Sequence, residues 1–111
     1  MTDPALFPTV LAGAVALVFL GAGGANFAGI GSIRADFVRW GYPAWFHRLC
    51  GGLELLGAAL VLWPATRLCG LALLGLVMAA AFFTLARHRE TAGHFLAVIG
   101  ISALLILAAT L

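Results

Sequence analysis

Long apolar stretches separated by short polar segments run along the chain, and this pattern predicts four helices that cross a membrane. Charged side chains are absent from three stretches, which lie between Asp3 and Arg34, between Arg67 and Arg87, and after Glu90. A helix needs about 20 mainly apolar residues to cross about 30 Å of hydrocarbon. These three stretches, and a fourth with polar interruptions, meet that requirement. The predicted spans cover residues 5–28, 43–63, 66–86 and 93–111.

The fourth of these stretches, predicted as the second span, contains His47, Arg48 and Glu54, and tryptophans mark its limits. Trp45 and Trp63 are 18 residues apart, which corresponds to about 27 Å along a helix. Tryptophan is enriched at both interfaces of a membrane. Because Glu54 lies nine residues from each tryptophan, the pattern places it near the middle of the bilayer.

A short amphipathic helix is predicted between the first two spans. Ile33, Phe37 and Trp40 share one helix face, and the charged residues lie elsewhere around it. Such a helix typically lies in the headgroup plane, and Gly41 can end it by adopting a left-handed conformation. The predicted fold is therefore all-α: a transmembrane four-helix bundle with a short amphipathic interfacial helix between spans 1 and 2, in one integral membrane domain of residues 1–111.

The composition supports this fold class, because 64% of the 111 residues are hydrophobic and 9% are charged. Soluble domains are about 45–50% apolar and about 25% charged, and so short a chain could not bury the excess in its own core. Small residues in the spans predict close helix contacts. In the first span they are Gly21, Ala25 and Gly29, and in the third they are Gly70 and Gly75.

The arginines predict the orientation in the membrane. All six basic residues are arginine, and five of them flank the first and third loops, where basic residues favour the cytoplasmic side. They are Arg34, Arg39, Arg48, Arg87 and Arg89. Both termini are therefore expected outside. A net charge of +2 spread over these loops does not predict a nucleic-acid surface.

The sequence predicts neither a disulfide nor a metal or nucleotide site. Cys50 and Cys69 fall near opposite membrane faces, about 20 Å apart, whereas a disulfide requires Cα atoms within about 7 Å. His88, Glu90 and His94 have spacing that fits zinc poorly. The glycines of the first span follow no strand, so they do not form a phosphate-binding loop.

Glu54 is the strongest candidate for a functional residue. A charged side chain at the centre of a membrane helix costs about 2.5–3.5 kcal/mol and is expected to face the bundle interior. It could hold a small ligand by hydrogen bonding or proton transfer. Alternatively, it could be a buried carboxyl that fixes helix packing with an arginine or an asparagine. Asn26 is expected to donate a hydrogen bond from the first span towards the second.

Other polar and aromatic residues near Glu54 leave two interpretations each. His47 precedes Glu54 by seven residues, so it could line the same cavity, or it could extend to the headgroups. Arg48 could likewise extend to the headgroups, or pair with Asp36. Trp45, with Phe27 and Phe46, could stack on a flat apolar ligand.

Several segments, in order, resemble the DoxX-like family over about residues 13–90. They are Gly23-Gly-Ala-Asn26-Phe27, Gly41-Tyr-Pro43, Gly51-Gly-Leu-Glu54-Leu-Leu-Gly57-Ala58 and Pro64-x-x-Arg67-x-x-Gly70. The resemblance implies a small four-helix protein of the bacterial inner membrane, in a family that includes a subunit of a quinone oxidoreductase. It adds Tyr42, Pro43 and Arg67 to Asn26 and Glu54 as motif positions.

The function expected from the residues and the resemblance together is that of a membrane subunit without catalytic activity of its own. Such a subunit would bind a quinone-like or lipidic molecule, or a redox partner enzyme, through a cavity around Glu54. The partners expected are membrane lipids, a soluble or membrane redox protein, and a second copy of the chain. A small oligomeric transporter or exporter and a structural assembly factor remain alternatives. The candidate ligand-binding residues are Glu54, His47, Asn26, Tyr42, Trp45, Arg48 and Arg67.

Overall fold

The computed structural model describes residues 6–88 and 92–110, apart from the side chains of Phe7 and residues 92–99. The predictions for Asp3, Arg89 and Glu90, and for the side chain of His94, lie outside the described residues. The described chain is helical and contains no strand. The predicted all-α class is therefore confirmed.

Five α-helices and one short 3-10 helix form the described chain, and each long one lies within three residues of a predicted span. The α-helices are α1 (Leu6–Ala28), α2 (Ile33–Arg39), α3 (Phe46–Leu62), α4 (Arg67–Arg87) and α5 (Ala92–Thr110), and the 3-10 helix covers Pro64–Thr66. Helix α2 is the predicted amphipathic helix. Gly41, which follows it, has φ +90°, as the sequence predicts for a helix end.

The four long helices pack as a ring in which α3 touches α1 and α4, and α5 touches α4 and α1. The resulting body is elongated, with extents of 51 × 24 × 20 Å. Two helical segments, Pro8–Ala28 and Pro64–Arg87, are long and apolar enough to cross a membrane.

The largest fully buried side chains lie in the middle of the ring and towards one end. The side chains of Val15, Phe19, Val61 and Leu74 are completely buried there, in one apolar cluster. That end also contains the tight turn between α3 and α4. In this turn Arg67 Nε donates to the backbone oxygen of Val61 (3.0 Å), and Thr66 Oγ1 donates to that of Leu60 (2.7 Å). Both bonds satisfy carbonyl groups that the end of a helix leaves unpaired.

Close helix contacts form at glycines, but partly at other glycines than those predicted. A Cβ on Gly51 would overlap the backbone nitrogen of Phe27 and lie 2.6 Å from the oxygen of Gly23, so α1 and α3 nearly touch there. Gly70 makes the corresponding close approach to α3, as predicted, because its Cβ would lie 2.7 Å from the oxygen of Gly57.

The predicted contacts at Gly21 and Gly75 are wrong, because a Cβ at either position would meet nothing within 4 Å. Gly29 lies beyond the end of α1 and faces a histidine ring instead of a helix backbone. The spacing of four residues therefore selected the wrong face of α1.

Large apolar side chains cover the outside of the described bundle. Leu17 on α1, Leu68 and Leu76 on α4, and Ile106 on α5 are all at least 65% exposed. A soluble monomer rarely exposes so many large apolar side chains to water. The surface is typical of helices that face lipid.

Candidate functional site

A cavity of about 560 Å³ opens in the half of the bundle that contains α2. Its size is within the range of about 300–1,000 Å³ that is usual for small-molecule sites. Most of its wall is apolar and comes from α3 and α4, with α1, α2 and α5 completing it. The apolar wall includes Leu49, Leu53, Leu73, Leu76, Val77 and Ile101.

The carboxyl group of Glu54 lies against this cavity, held by one hydrogen bond from the neighbouring helix. Asn26 Nδ2 donates to Glu54 Oε1 across the α1–α3 contact, at 2.6 Å. The Glu54 residue is 3% exposed, and both residues line the cavity. No described residue other than Asn26 makes a hydrogen bond to Glu54. The second carboxyl oxygen is therefore available to a ligand.

Glycines explain why these two side chains can meet. Gly23 precedes Asn26 by less than one turn, and a Cβ on it would lie 3.0 Å from the Cβ of Glu54. Gly51 stands in the corresponding position on α3 and has no room for a side chain. The two helix backbones therefore approach closely enough for the short side chain of Asn26 to reach the carboxyl.

Aromatic residues and a second hydrogen bond form the outer part of the cavity. Tyr42 and Phe46 stack with ring centres 4.4 Å apart, and Phe37 of α2 packs edge to face with Trp40, which follows the helix, at 5.3 Å. The hydroxyl group of Tyr42 lies 2.7 Å from Thr84 Oγ1 on α4. All five residues line the cavity. Tyr42 therefore connects the segment after α2 to α4.

The other charged group on the cavity wall is already neutralised. Asp36 of α2 accepts hydrogen bonds from Arg39 Nη2 and Ser32 Oγ, both at 3.1 Å. Arg39 is half exposed and does not line the cavity. None of the described residues that line the cavity is arginine, lysine or histidine. No group of three potential metal ligands occurs among the described residues.

The chain that contains this cavity is similar to a known protein family. The model of the DoxX-like family matches residues 10–110, nearly the whole chain. This chain belongs to the DoxX-like family. No curated protein and no solved structure matches it. Family membership and the two long apolar helices indicate that this DoxX-like chain is a membrane protein.

His47 does not line the cavity of this DoxX-like protein, nor does it extend to the headgroups. It is 4% exposed, and its Nδ1 donates to the backbone oxygen of Asn26 at 2.8 Å. A Cβ on Gly29 would lie 3.0 Å from the imidazole ring. Both interpretations offered by the sequence are therefore wrong. His47 holds the end of α1, and with it the residue that contacts Glu54.

Three other candidate residues also lie away from the cavity. Trp45 is 59% exposed, and Arg48 is exposed on the same turn of the bundle. The suggested pair of Arg48 with Asp36 is not formed, since Asp36 contacts Arg39 instead. Arg67 satisfies a carbonyl of α3 at the opposite end of the bundle. Of the seven candidates, the DoxX-like cavity therefore brings together Asn26, Tyr42 and Glu54.

The sequence did not predict Thr84 as a wall residue of the DoxX-like cavity, whereas it placed Cys50 on the same face of the second span as Glu54. Thr84 is buried, and its hydroxyl donates to the backbone oxygen of Ala80 at 2.9 Å while it contacts Tyr42. A hydroxyl in an otherwise apolar span was the available signal. Cys50 faces the cavity one turn before Glu54 and is a free thiol, as is Cys69. The prediction that the two cysteines form no disulfide is confirmed.

Proposed function

We propose that this DoxX-like chain is a four-span integral membrane protein that binds a small molecule in the cavity beside Glu54. The ligand has an apolar body and a hydrogen-bonding head, as a quinone-like ring or a lipid does. One observation carries the proposal. A buried carboxyl, with a single partner among the described residues, faces an otherwise apolar cavity of about 560 Å³.

The proposed spans are α1, α3, α4 and α5. Helix α3 has 17 residues, about 26 Å at 1.5 Å per residue. Trp45 and Trp63 lie at its ends and are 59% and 71% exposed, as tryptophans at the two membrane interfaces would be. Helix α5 has 19 residues and no charged side chain in its sequence. Both lengths suit a bilayer about 30 Å thick.

The proposed orientation places α2 and the end of α4 on the cytoplasmic side of a bacterial inner membrane. Of the arginines that the structure describes, Arg34, Arg39, Arg48 and Arg87 belong to that end of the bundle, and Arg67 lies at the other. Basic residues favour the cytoplasmic side. The cavity then opens in the cytoplasmic half of the protein, and both termini lie outside.

The proposed chemistry is recognition rather than catalysis. A protonated Glu54 donates a hydrogen bond to a ligand carbonyl, and an ionised one accepts a hydrogen bond from a ligand hydroxyl or amine. The rings of Phe37, Tyr42 and Phe46 offer surfaces on which a flat ligand can stack. The polar head is thereby fixed at the inner end while the apolar body fills the cavity.

Substitution of Glu54 tests the proposal by equilibrium binding of a short-chain quinone to protein in lipid nanodiscs. Glu54→Leu is expected to weaken binding by about tenfold, since a hydrogen bond in an apolar site contributes about 1 kcal/mol or more. Glu54→Gln keeps a hydrogen-bonding head and should retain most of the affinity. Arg48→Gln, outside the cavity, serves as the control. Unchanged binding in Glu54→Leu would refute the site.

A further inference from the structure

We infer that the cavity discriminates by charge, taking organic cations with an apolar body and rejecting anions of the same shape. The inference rests on the proposed binding function, since it concerns the same cavity. It extends that function by naming a second ligand class besides neutral quinone-like molecules: hydrophobic amines and quaternary cations.

The charges on the cavity wall favour a cationic ligand. The described wall carries two carboxyl groups, Asp36 and Glu54, and no basic side chain. Arg39 compensates Asp36 at 3.1 Å. Among the described residues, Glu54 receives a neutral amide from Asn26 and no cation. An anionic ligand would therefore meet an acidic group with no counter-charge, whereas a cationic ligand would supply the missing one.

The aromatic rings of the cavity wall also favour a cationic ligand. Phe46 precedes Glu54 by eight residues on α3, about 12 Å along the helix. A ligand whose cationic head reaches Glu54 therefore places its apolar body beside Cys50 and Leu53, with the rings of Phe46 and Tyr42 behind it. Aromatic faces attract cations, so the same rings favour a positively charged ligand as it enters.

Binding of a cation beside Glu54 must also balance charge and protons. An organic cation beside Glu54 favours the ionised carboxylate, so a proton held by the carboxyl leaves to solvent as the cation binds, and one positive charge replaces another. The titratable wall groups near it are Cys50 on the same helix, Tyr42, and Asp36 of α2, which Arg39 neutralises. The described wall residues from α1, α4 and α5 contribute no titratable side chain.

Two ions of the same shape and opposite charge test the inference: tetraphenylphosphonium and tetraphenylborate. Trp40 lines the cavity and can report binding by fluorescence once Trp45 and Trp63, which do not line it, are replaced by phenylalanine. Signals from Glu54→Leu protein are subtracted, because both ions also partition into the lipid. The phosphonium is expected to bind at least about tenfold more tightly than the borate.

Two variants separate this inference from the general binding function. Glu54→Gln should reduce phosphonium affinity at least about tenfold while quinone affinity is retained, because only the charge is lost. Leu49→Arg adds a positive charge at an exposed wall position, so it tests the same point without altering a buried residue. It should weaken phosphonium binding and strengthen borate binding.

Equal binding of the two ions, or phosphonium binding that survives Glu54→Gln, overturns charge selection. If quinone binds under those conditions, the proposed function stands without the inference. If neither ion nor quinone binds above the Glu54→Leu background, the proposed function itself fails.

Discussion

Asn26 and Glu54 depend on each other, because each is a polar side chain in an apolar setting. The bond between Asn26 Nδ2 and Glu54 Oε1 is 2.6 Å long and joins α1 to α3. The sequence predicted both the depth of the carboxyl and an asparagine as one of its two candidate partners. Periodicity cannot decide between asparagine and arginine as the partner, because that choice depends on how far α1 is shifted along α3.

Asn26→Leu is expected to destabilise the protein by about 1–3 kcal/mol, since it leaves the carboxyl of Glu54 buried without a protein partner. The double variant Asn26→Leu/Glu54→Leu should recover much of that loss, because both polar groups are then gone. Denaturant unfolding in detergent measures both free energies. A double variant that is less stable than Asn26→Leu would contradict the account.

His47 is expected to contribute to stability through α1 rather than through a ligand. His47→Ala removes the bond to the Asn26 backbone oxygen and leaves a void beside Gly29, which together should cost about 2–3 kcal/mol. Arg48→Ala, one residue away and exposed, should change the stability by less than about 0.5 kcal/mol. Thermal unfolding of the two variants in the same detergent compares them. Equal melting temperatures would contradict the role assigned to His47.

At the scale of the helices, their limits could be predicted but their contact faces could not. The start and end of α1, α3, α4 and α5 follow from the lengths of the apolar stretches in the sequence. Gly23 and Gly51 form the α1–α3 contact, whereas Gly21 and Gly75 remain open. Small residues occur on several faces of these helices. The face that meets a neighbour depends on helix rotation, which the spacing does not contain.

Adjacent glycines of α3 provide a matched test of that contact. Gly51→Ala places a methyl group against the backbone of α1, so α1 and α3 must separate and the stability should fall by several kcal/mol. Gly52→Ala meets nothing within 4 Å and should raise the stability by about 0.5–1 kcal/mol, because alanine favours the helix. Chemical unfolding and the yield of folded protein measure both. Similar behaviour of the two variants would contradict the close approach.

At the scale of the whole molecule, the sequence predicted a cavity around Glu54 but only part of its wall. Its wall combines α2, Tyr42 and the second half of α4 with the first half of α3. The sequence predicted Glu54 as a residue of the cavity from its position in the second span, and Tyr42 as a candidate only through the family resemblance. Thr84 and Asp36 enter through tertiary packing, since they lie far from Glu54 along the chain.

The proposed topology is tested by labelling single cysteines introduced into a Cys50→Ala/Cys69→Ala background. A membrane-impermeant maleimide added to intact spheroplasts should label a cysteine at Ala65, in the turn between α3 and α4. It should not label a cysteine at Ala35 of α2, because that helix is expected on the cytoplasmic side. Labelling of both positions after lysis is the control. The reverse pattern would invert the orientation.

The completely buried cluster of Val15, Phe19, Val61 and Leu74 has a consequence for the movement of a ligand through the bundle. None of these four side chains lines the cavity, and they fill the interior of the bundle between Glu54 and the turn between α3 and α4. In the proposed function, a ligand therefore enters and leaves the cavity in the half of the bundle that contains α2. A single copy with the proposed function would thus bind and release its ligand in one half of the bundle, and a path through the bundle would require this cluster to move apart.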